Sequence, residues 1–109
     1  MADPNTILDG VSAFEWDSGD ADKLRERHGV LPAEAEQVLL RRPWVLAPDS
    51  THSAAESRWY ALGETAAGRR LMVVFTVRGQ RVRVISARPM SRRERVIYGQ
   101  TQDEADSGI

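Results

Sequence analysis

The sequence predicts an α+β domain: helices packed on a largely antiparallel sheet of four to five strands. Three observations lead there. Residues 58–88 read as strands separated by turn signals, of which Gly79-Gln80 is the sharpest. Ahead of them lie two helical segments, parted by Gly29 and reopened by Pro32. Behind them Pro89 ends a strand and Ser91 starts a helix. A chain of 109 residues suits one domain with one modest core. The expected domain spans residues 1–109, its core lies at about 12–99, and 1–11 and 100–109 read as frayed ends.

Val11–Trp16 is short and partly alternating, a first strand. Asp17, Ser18 or Asp20 can cap a helix that runs to about His28 and stops at Gly29. Acids at 17, 20 and 22 precede Arg25, Arg27 and His28, the order that a helix dipole favours. Pro32 opens a second helix, in which Ala35, Val38 and Leu39 share a face, and Pro43 closes it. Trp44–Ala47 is a short strand and Pro48–Ser57 a polar loop. Arg58–Gly63, Arg69–Arg78 and Arg81–Arg88 follow as a meander, with Glu64–Gly68 as the first turn. Gly79 at the first central position suits a type II′ hairpin, which pairs Arg78 with Arg81, Thr76 with Arg83, Val74 with Ile85 and Met72 with Ala87. The core side then carries Leu71, Val73, Phe75, Val77, Val82, Val84 and Ser86. Ser91 and Glu94 have capping-box spacing for the last helix.

Charge is divided unevenly. Arg58 to Tyr98 holds ten arginines and two acids, whereas residues 1–57 hold five basic groups and eleven acids; the whole chain has a net charge of −1. The basic half points to phosphates or an acidic protein surface as its partner. No cysteine is present, so disulfides and thiolate metal sites are excluded. The longest apolar run, Leu71 to Phe75, is too short to span a bilayer, and Met1–Gly10 does not resemble a signal peptide. Cytoplasm is the expected location, with no membrane association.

The candidate chemistry rests on arginines. Arg78, Arg81 and Arg83 share one sheet face, with Arg88 just beyond; guanidinium forks there suit phosphates, and solubilising residues at a hairpin tip are the plainer reading. His28 is a candidate acid or base by its titration range, or simply a helix C-terminal cation. Trp16, Trp44, Trp59, Tyr60 and Tyr98 can stack bases, although such residues in a small domain mostly fill cores. Arg92, Arg93 and Arg95 read as the solvated face of the last helix. His52 with Asp49 and Glu56 lacks metal-ligand spacing, and no nucleotide-binding glycine loop occurs, so neither metal nor cofactor is expected.

One set of residues matches a known pattern. Phe14-Glu15-Trp16-Asp17, His28-Gly29-Val30, Glu34-Ala35 and Pro43 resemble the opening of the BrnT family of toxins. Gly63, Gly68-Arg69, Val73-Val74-Phe75-Thr76, Arg78-Gly79, Arg83-Val84-Ile85-Ser86-Ala87-Arg88, Arg93-Glu94-Arg95 and Tyr98 continue the resemblance, which covers about residues 14–98. It departs at Asp20, Leu24, Arg27 and Arg42, where members often carry Lys, Asn, Lys and Asp. The resemblance implies a RelE-like fold and the toxin role in a type II toxin–antitoxin system, with ribonuclease activity on RNA that arrests growth. It also implies neutralisation by a BrnA-like antitoxin carrying a ribbon-helix-helix domain, and contact with operator DNA only through that complex. On this reading the reaction is metal-independent, His28, Arg58, Arg78, Arg83 and Arg88 are catalytic, and Arg69, Arg81 and Tyr98 contact substrate. Glu94 is a further candidate. The alternative is a catalytically degenerate binding module whose basic face holds an acidic partner.

Overall fold

A computed structural model of the chain describes residues 8, 13–17, 19–41, 45–48 and 57–107. In chain order the elements are β1 (Ala13–Glu15), α1 (Asp20–His28), α2 (Pro32–Leu40), β2 (Val45–Pro48), β3 (Trp59–Glu64), β4 (Arg70–Arg78), β5 (Arg81–Pro89) and α3 (Arg92–Ser107). The strands form one five-stranded sheet in the order β1-β5-β4-β3-β2. β2 to β5 are antiparallel neighbours, and β1 lies parallel to β5, so the sheet is mixed. After β1 the chain crosses through two helices to the far edge and meanders back, which leaves β5 inside the sheet.

The helices begin and end where local chemistry directs them. Pro32 occupies the first turn of α2, where its missing N–H costs nothing, and the Leu31 N–H donates to Glu34 Oε1 at 3.0 Å. Ala35, Val38 and Leu39 are buried, as the spacing predicts. Gly29 ends α1 in the left-handed region, with φ of 63°. The expected side-chain cap on α1 is not found at Asp17 or Asp20; Gly19 holds the cap position without a side-chain hydrogen bond, because both carboxylates turn to Arg83 instead. At α3 the capping box is complete: the Ser91 N–H donates to Glu94 Oε1 at 2.9 Å, and the Glu94 N–H to Ser91 Oγ at 3.2 Å. The stretch 100–107, expected to fray, continues α3 to Ser107; no proline interrupts it.

The principal core lies between the sheet and helices α1 and α2. Leu71, Val73 and Phe75 from β4 and Val82 and Val84 from β5 are fully buried there against Leu24, Val38 and Leu39. A smaller cluster of Leu62, Met90 and Tyr98 forms on the opposite side, under α3. Side-chain hydrogen bonds stitch the β3–β4 turn to the helical layer: the Ala66 N–H donates to Gln37 Oε1 at 3.0 Å, and Arg69 pairs with Glu34.

The β4–β5 hairpin corrects one expectation. Gly79 has φ of 61°, as a II′ turn demands, and the pairs Arg78–Arg81 and Thr76–Arg83 form. Beyond Phe75–Val84 the register shifts, so Val74 faces Ser86 and Met72 faces Arg88 instead of Ile85 and Ala87. Ile85 is the extra residue of a β-bulge. Ala87 thereby takes the buried core place expected of Ser86, and Ser86 turns to the other face. Ser18, Pro43, Trp44, Asp49, His52 and Glu56 lie outside the described residues.

Candidate functional site

The sheet face turned away from α1 and α2 carries a cleft of about 600 Å³, bounded on one side by α3. Its floor is apolar: Leu62, Met72, Val74 and Ile85, with Ile97 leaning in from α3. Tyr60 and Ser86 are set into that floor, and Arg58, Arg88 and Arg93 rim it beside Ser91 and Glu94. Alternation along β3 and β4 places Tyr60, Leu62, Met72 and Val74 here. On β5 the bulge does the work, since without it Arg88 would share the parity of Val82 and Val84 and face the core.

Arg88 and Glu94 are locked together. Nη1 donates to Glu94 Oε1 at 2.7 Å and Nη2 to Oε2 at 2.9 Å, a bidentate fork. That hydrogen bonding holds the Glu94 carboxyl below its ordinary value of 4.5, against an opposing push from burial, and Ser91 adds to the lowering. Arg58 stands differently. Among the described residues no acid pairs with it, and it reaches the cleft from the residue just before β3. An arginine rim with one ionised carboxylate above an apolar floor can hold an anion, leave a proton acceptor beside it and accommodate a flat apolar group.

The other sequence candidates are spread over the molecule. Arg83 is drawn to the segment between β1 and α1, where Nη2 pairs with Asp17 and lies 3.9 Å from Asp20 Oδ2. Its Nε is buried without a hydrogen-bond partner among the described residues. Arg69 pairs with Glu34 at 3.0 Å and donates to the Gly29 carbonyl at 2.9 Å, so it fastens the β3–β4 turn to the α1–α2 junction. His28 ends α1, in the layer across the sheet from the cleft, and its carbonyl accepts from Arg69 at 3.5 Å. Arg78 and Arg81 sit opposite each other at the hairpin tip, both exposed. Tyr98 is buried with Leu62 and Met90, its ring 5.7 Å from the Arg70 guanidinium. Burial first, and then the neighbouring Glu64, push its phenol above the ordinary value of 10.0. The structure therefore brings Arg58, Arg88 and Glu94 together and leaves His28, Arg69, Arg78, Arg81, Arg83 and Tyr98 outside the cleft.

Sequence reasoning missed Arg93, Ser86 and Ser91 as cleft residues, and weighed Tyr60 as a base-stacking candidate with core filling as its plainer role. Tyr60 was legible from its parity with Leu62 and with the facing Val74. Ser86 was not, because its face depends on the bulge. Arg93 shares the first turn of α3 with Glu94, which points the same way. Among the described residues no group of three or more His, Asp or Glu side chains is placed to hold a metal ion. No helix is long and apolar enough to cross a membrane.

Comparison with known proteins adds the family. Residues 16–94 match the family described as the ribonuclease toxin BrnT of type II toxin–antitoxin systems. The crystal structure of the Brucella abortus ribonuclease toxin BrnT, at 1.1 Å resolution, superposes with a TM-score of 0.58 at 25% identity, covering 75% of this chain and 100% of that one. No curated protein matches the chain.

Proposed function

This chain belongs to the BrnT family of type II toxin–antitoxin ribonuclease toxins, and from that membership we propose that it is a metal-independent endoribonuclease working in the cleft beneath α3. The observation that carries the proposal is the convergence of Arg58, Arg88 and Arg93 on one cleft, beside a single ionised carboxylate. RNA brings its own nucleophile: the 2′-oxygen attacks the adjacent phosphorus as the 2′-OH proton leaves, the P–O5′ bond breaks, and the departing 5′-oxygen takes up a proton. The products are a 2′,3′-cyclic phosphate and a 5′-OH. Arg58, Arg88 and Arg93 meet the charge that grows on the phosphorane oxygens. Glu94, kept ionised by Arg88, takes the proton acceptor's part; His28 on the far side of the sheet would need a rearrangement to serve.

The RelE-like reading of the fold and a cytoplasmic site of action go with this proposal. So does the partner, a BrnA-like antitoxin whose ribbon-helix-helix dimer carries two toxin chains and makes the operator contacts itself. Its toxin-binding segment would lie over the basic half, where complementary acids relieve the clustered charge. Crosslinks confined to residues 17–42, with 58–88 left open, would contradict that placement.

The test of activity is partner-free protein incubated with RNA in EDTA, with the product ends identified. Cyclic phosphate and 5′-OH ends are expected. Cleavage only after a divalent metal is restored, or products with 3′-OH ends, would defeat the mechanism. RNA affinity is also expected to fall steeply as salt rises, and equal affinity at two ionic strengths would contradict a backbone-led interface.

A second reading, a catalytically degenerate binding module, has its own supporting observation. Among the described residues four arginines of the basic half are ion-paired within the chain: Arg69 to Glu34, Arg70 to Glu64, Arg83 to Asp17, and Arg88 to Glu94. Asp20, where family members often carry Lys, adds to the acids around Arg83. Loss of cleavage in every metal condition, with antitoxin binding intact, would favour it.

A further inference from the structure

We infer that the floor of the cleft is a nucleobase subsite, in which Tyr60 supplies the aromatic surface and Ser86 reads the edge of one unpaired base. The inference rests on the proposed ribonuclease reading and names the part of the substrate that the arginines leave unexplained. A phosphate needs only the rim. It gains nothing from Leu62, Met72, Val74 and Ile85, and a cleft of about 600 Å³ offers it far more room than it fills. An apolar floor under a cationic rim is complementary to a nucleotide, whose flat face is apolar and whose phosphate is not. Because a base in a duplex is stacked and paired, the occupant must be single-stranded or flipped out.

Two details give the floor discrimination. Tyr60 is half-buried, with its ring against the Leu62, Met90 and Tyr98 cluster, so it is held in place by packing. Ser86 faces the cleft only because the bulge at Ile85 shifts β5 by one residue, which puts two consecutive residues on the same face. Its hydroxyl both donates and accepts, so it can pair with either kind of group on a base edge. The same bulge carries Arg88 onto the rim. One irregularity in one strand thus sets both the anion contact and the base contact, and fixes the distance between them.

The experiment has two arms. In the first, cleavage of a random-sequence RNA pool is mapped for wild type, Ser86→Ala, Tyr60→Ala, Tyr60→Phe and Arg58→Ala. Ser86→Ala is expected to flatten the base preference at the cut site, slowing the preferred base about tenfold with the others little changed, the loss of one hydrogen bond. Tyr60→Ala should slow all bases while Tyr60→Phe retains activity, and Arg58→Ala should slow all bases with the preference kept. In the second arm, the methyl resonances of Met72 and Ile85 are followed by NMR as nucleoside 3′-monophosphates or inorganic phosphate are added. The nucleotides should move them and inorganic phosphate should not. A wild-type base preference in both Ser86→Ala and Tyr60→Ala, at undiminished rate, would overturn the subsite. Equal shifts with inorganic phosphate would also overturn it, as would shifts that appear only in the antitoxin complex. Nucleotide-specific shifts in a protein that cleaves no RNA would uphold the subsite and defeat the proposed activity.

Discussion

The two faces of the sheet share the same strands yet are built on different rules. The face under α1 and α2 is uniformly apolar: Val73, Phe75, Val82 and Val84 are fully buried and offer no chemistry. The face under α3 alternates an apolar floor with arginines, a serine, a tyrosine and a carboxylate, and it stays open to a cleft. The difference lies in the cover. Among the described residues, two helices pack over one face, and one helix, α3, bounds the cleft on the other. Stability is thereby concentrated on one side, which frees the other to hold like charges that a closed core would not tolerate. Even there charge is restrained, since the Glu94 fork offsets Arg88, while Arg58 has no acidic partner among the described residues.

The largest effect that would break this division is on the closed face. Phe75→Ala should cost about 3–5 kcal/mol in denaturant unfolding, the cavity penalty of a fully buried aromatic. Val74→Ala, next along the strand but half-buried on the open face, should cost visibly less. Equal losses would mean that the cleft floor is as much core as the other side.

Next comes the rim. Arg58→Ala should slow cleavage by roughly 10²–10³ if it meets the phosphorane, by analogy with removal of one oxyanion donor, and should leave stability within about 0.5 kcal/mol. Single-turnover rates and urea midpoints measured on the same preparation will separate the two.

Arg83→Ala sharpens the comparison from the other direction. The sequence suggests a catalytic arginine on a free face, whereas the ion pairs to Asp17 and Asp20 suggest a fastener for the β1–α1 segment. A loss of about 1.5 kcal/mol is expected, the low end of the range for hydrogen bonds to charged groups. Cleavage abolished at unchanged stability would return Arg83 to the site.

The smallest effect concerns pH. The folded Glu94 carboxyl titrates below its unfolded value, so its contribution is present above about pH 4.5 and is lost as pH falls through the folded value. Glu94→Gln should therefore weaken the fall of stability on the acid side. An unchanged acid limb in melting curves would show that the Arg88 fork adds nothing to folding.

Much of this was written in the chain. The order of elements followed from local signals, namely Gly29 and Pro32 between two helices, Gly79 at a II′ hairpin, and Ser91 with Glu94 opening the last helix. Such signals act over a few residues, so the sequence states them directly, and the concentration of arginines after residue 57 pointed to an anionic partner without any fold. Tertiary structure decided which of those arginines meet. Arg83 and Arg69 found acids 17 and 34 that lie far away in sequence, and His28 was carried to the helical side of the sheet. Arg88 and Ser86 reached the cleft only through an extra residue at Ile85, which no alternation pattern announces. Periodicity fixes the face of a side chain only while the ladder is regular. One unpaired residue reverses every face beyond it, and whether it is accommodated depends on packing contributed by the whole sheet.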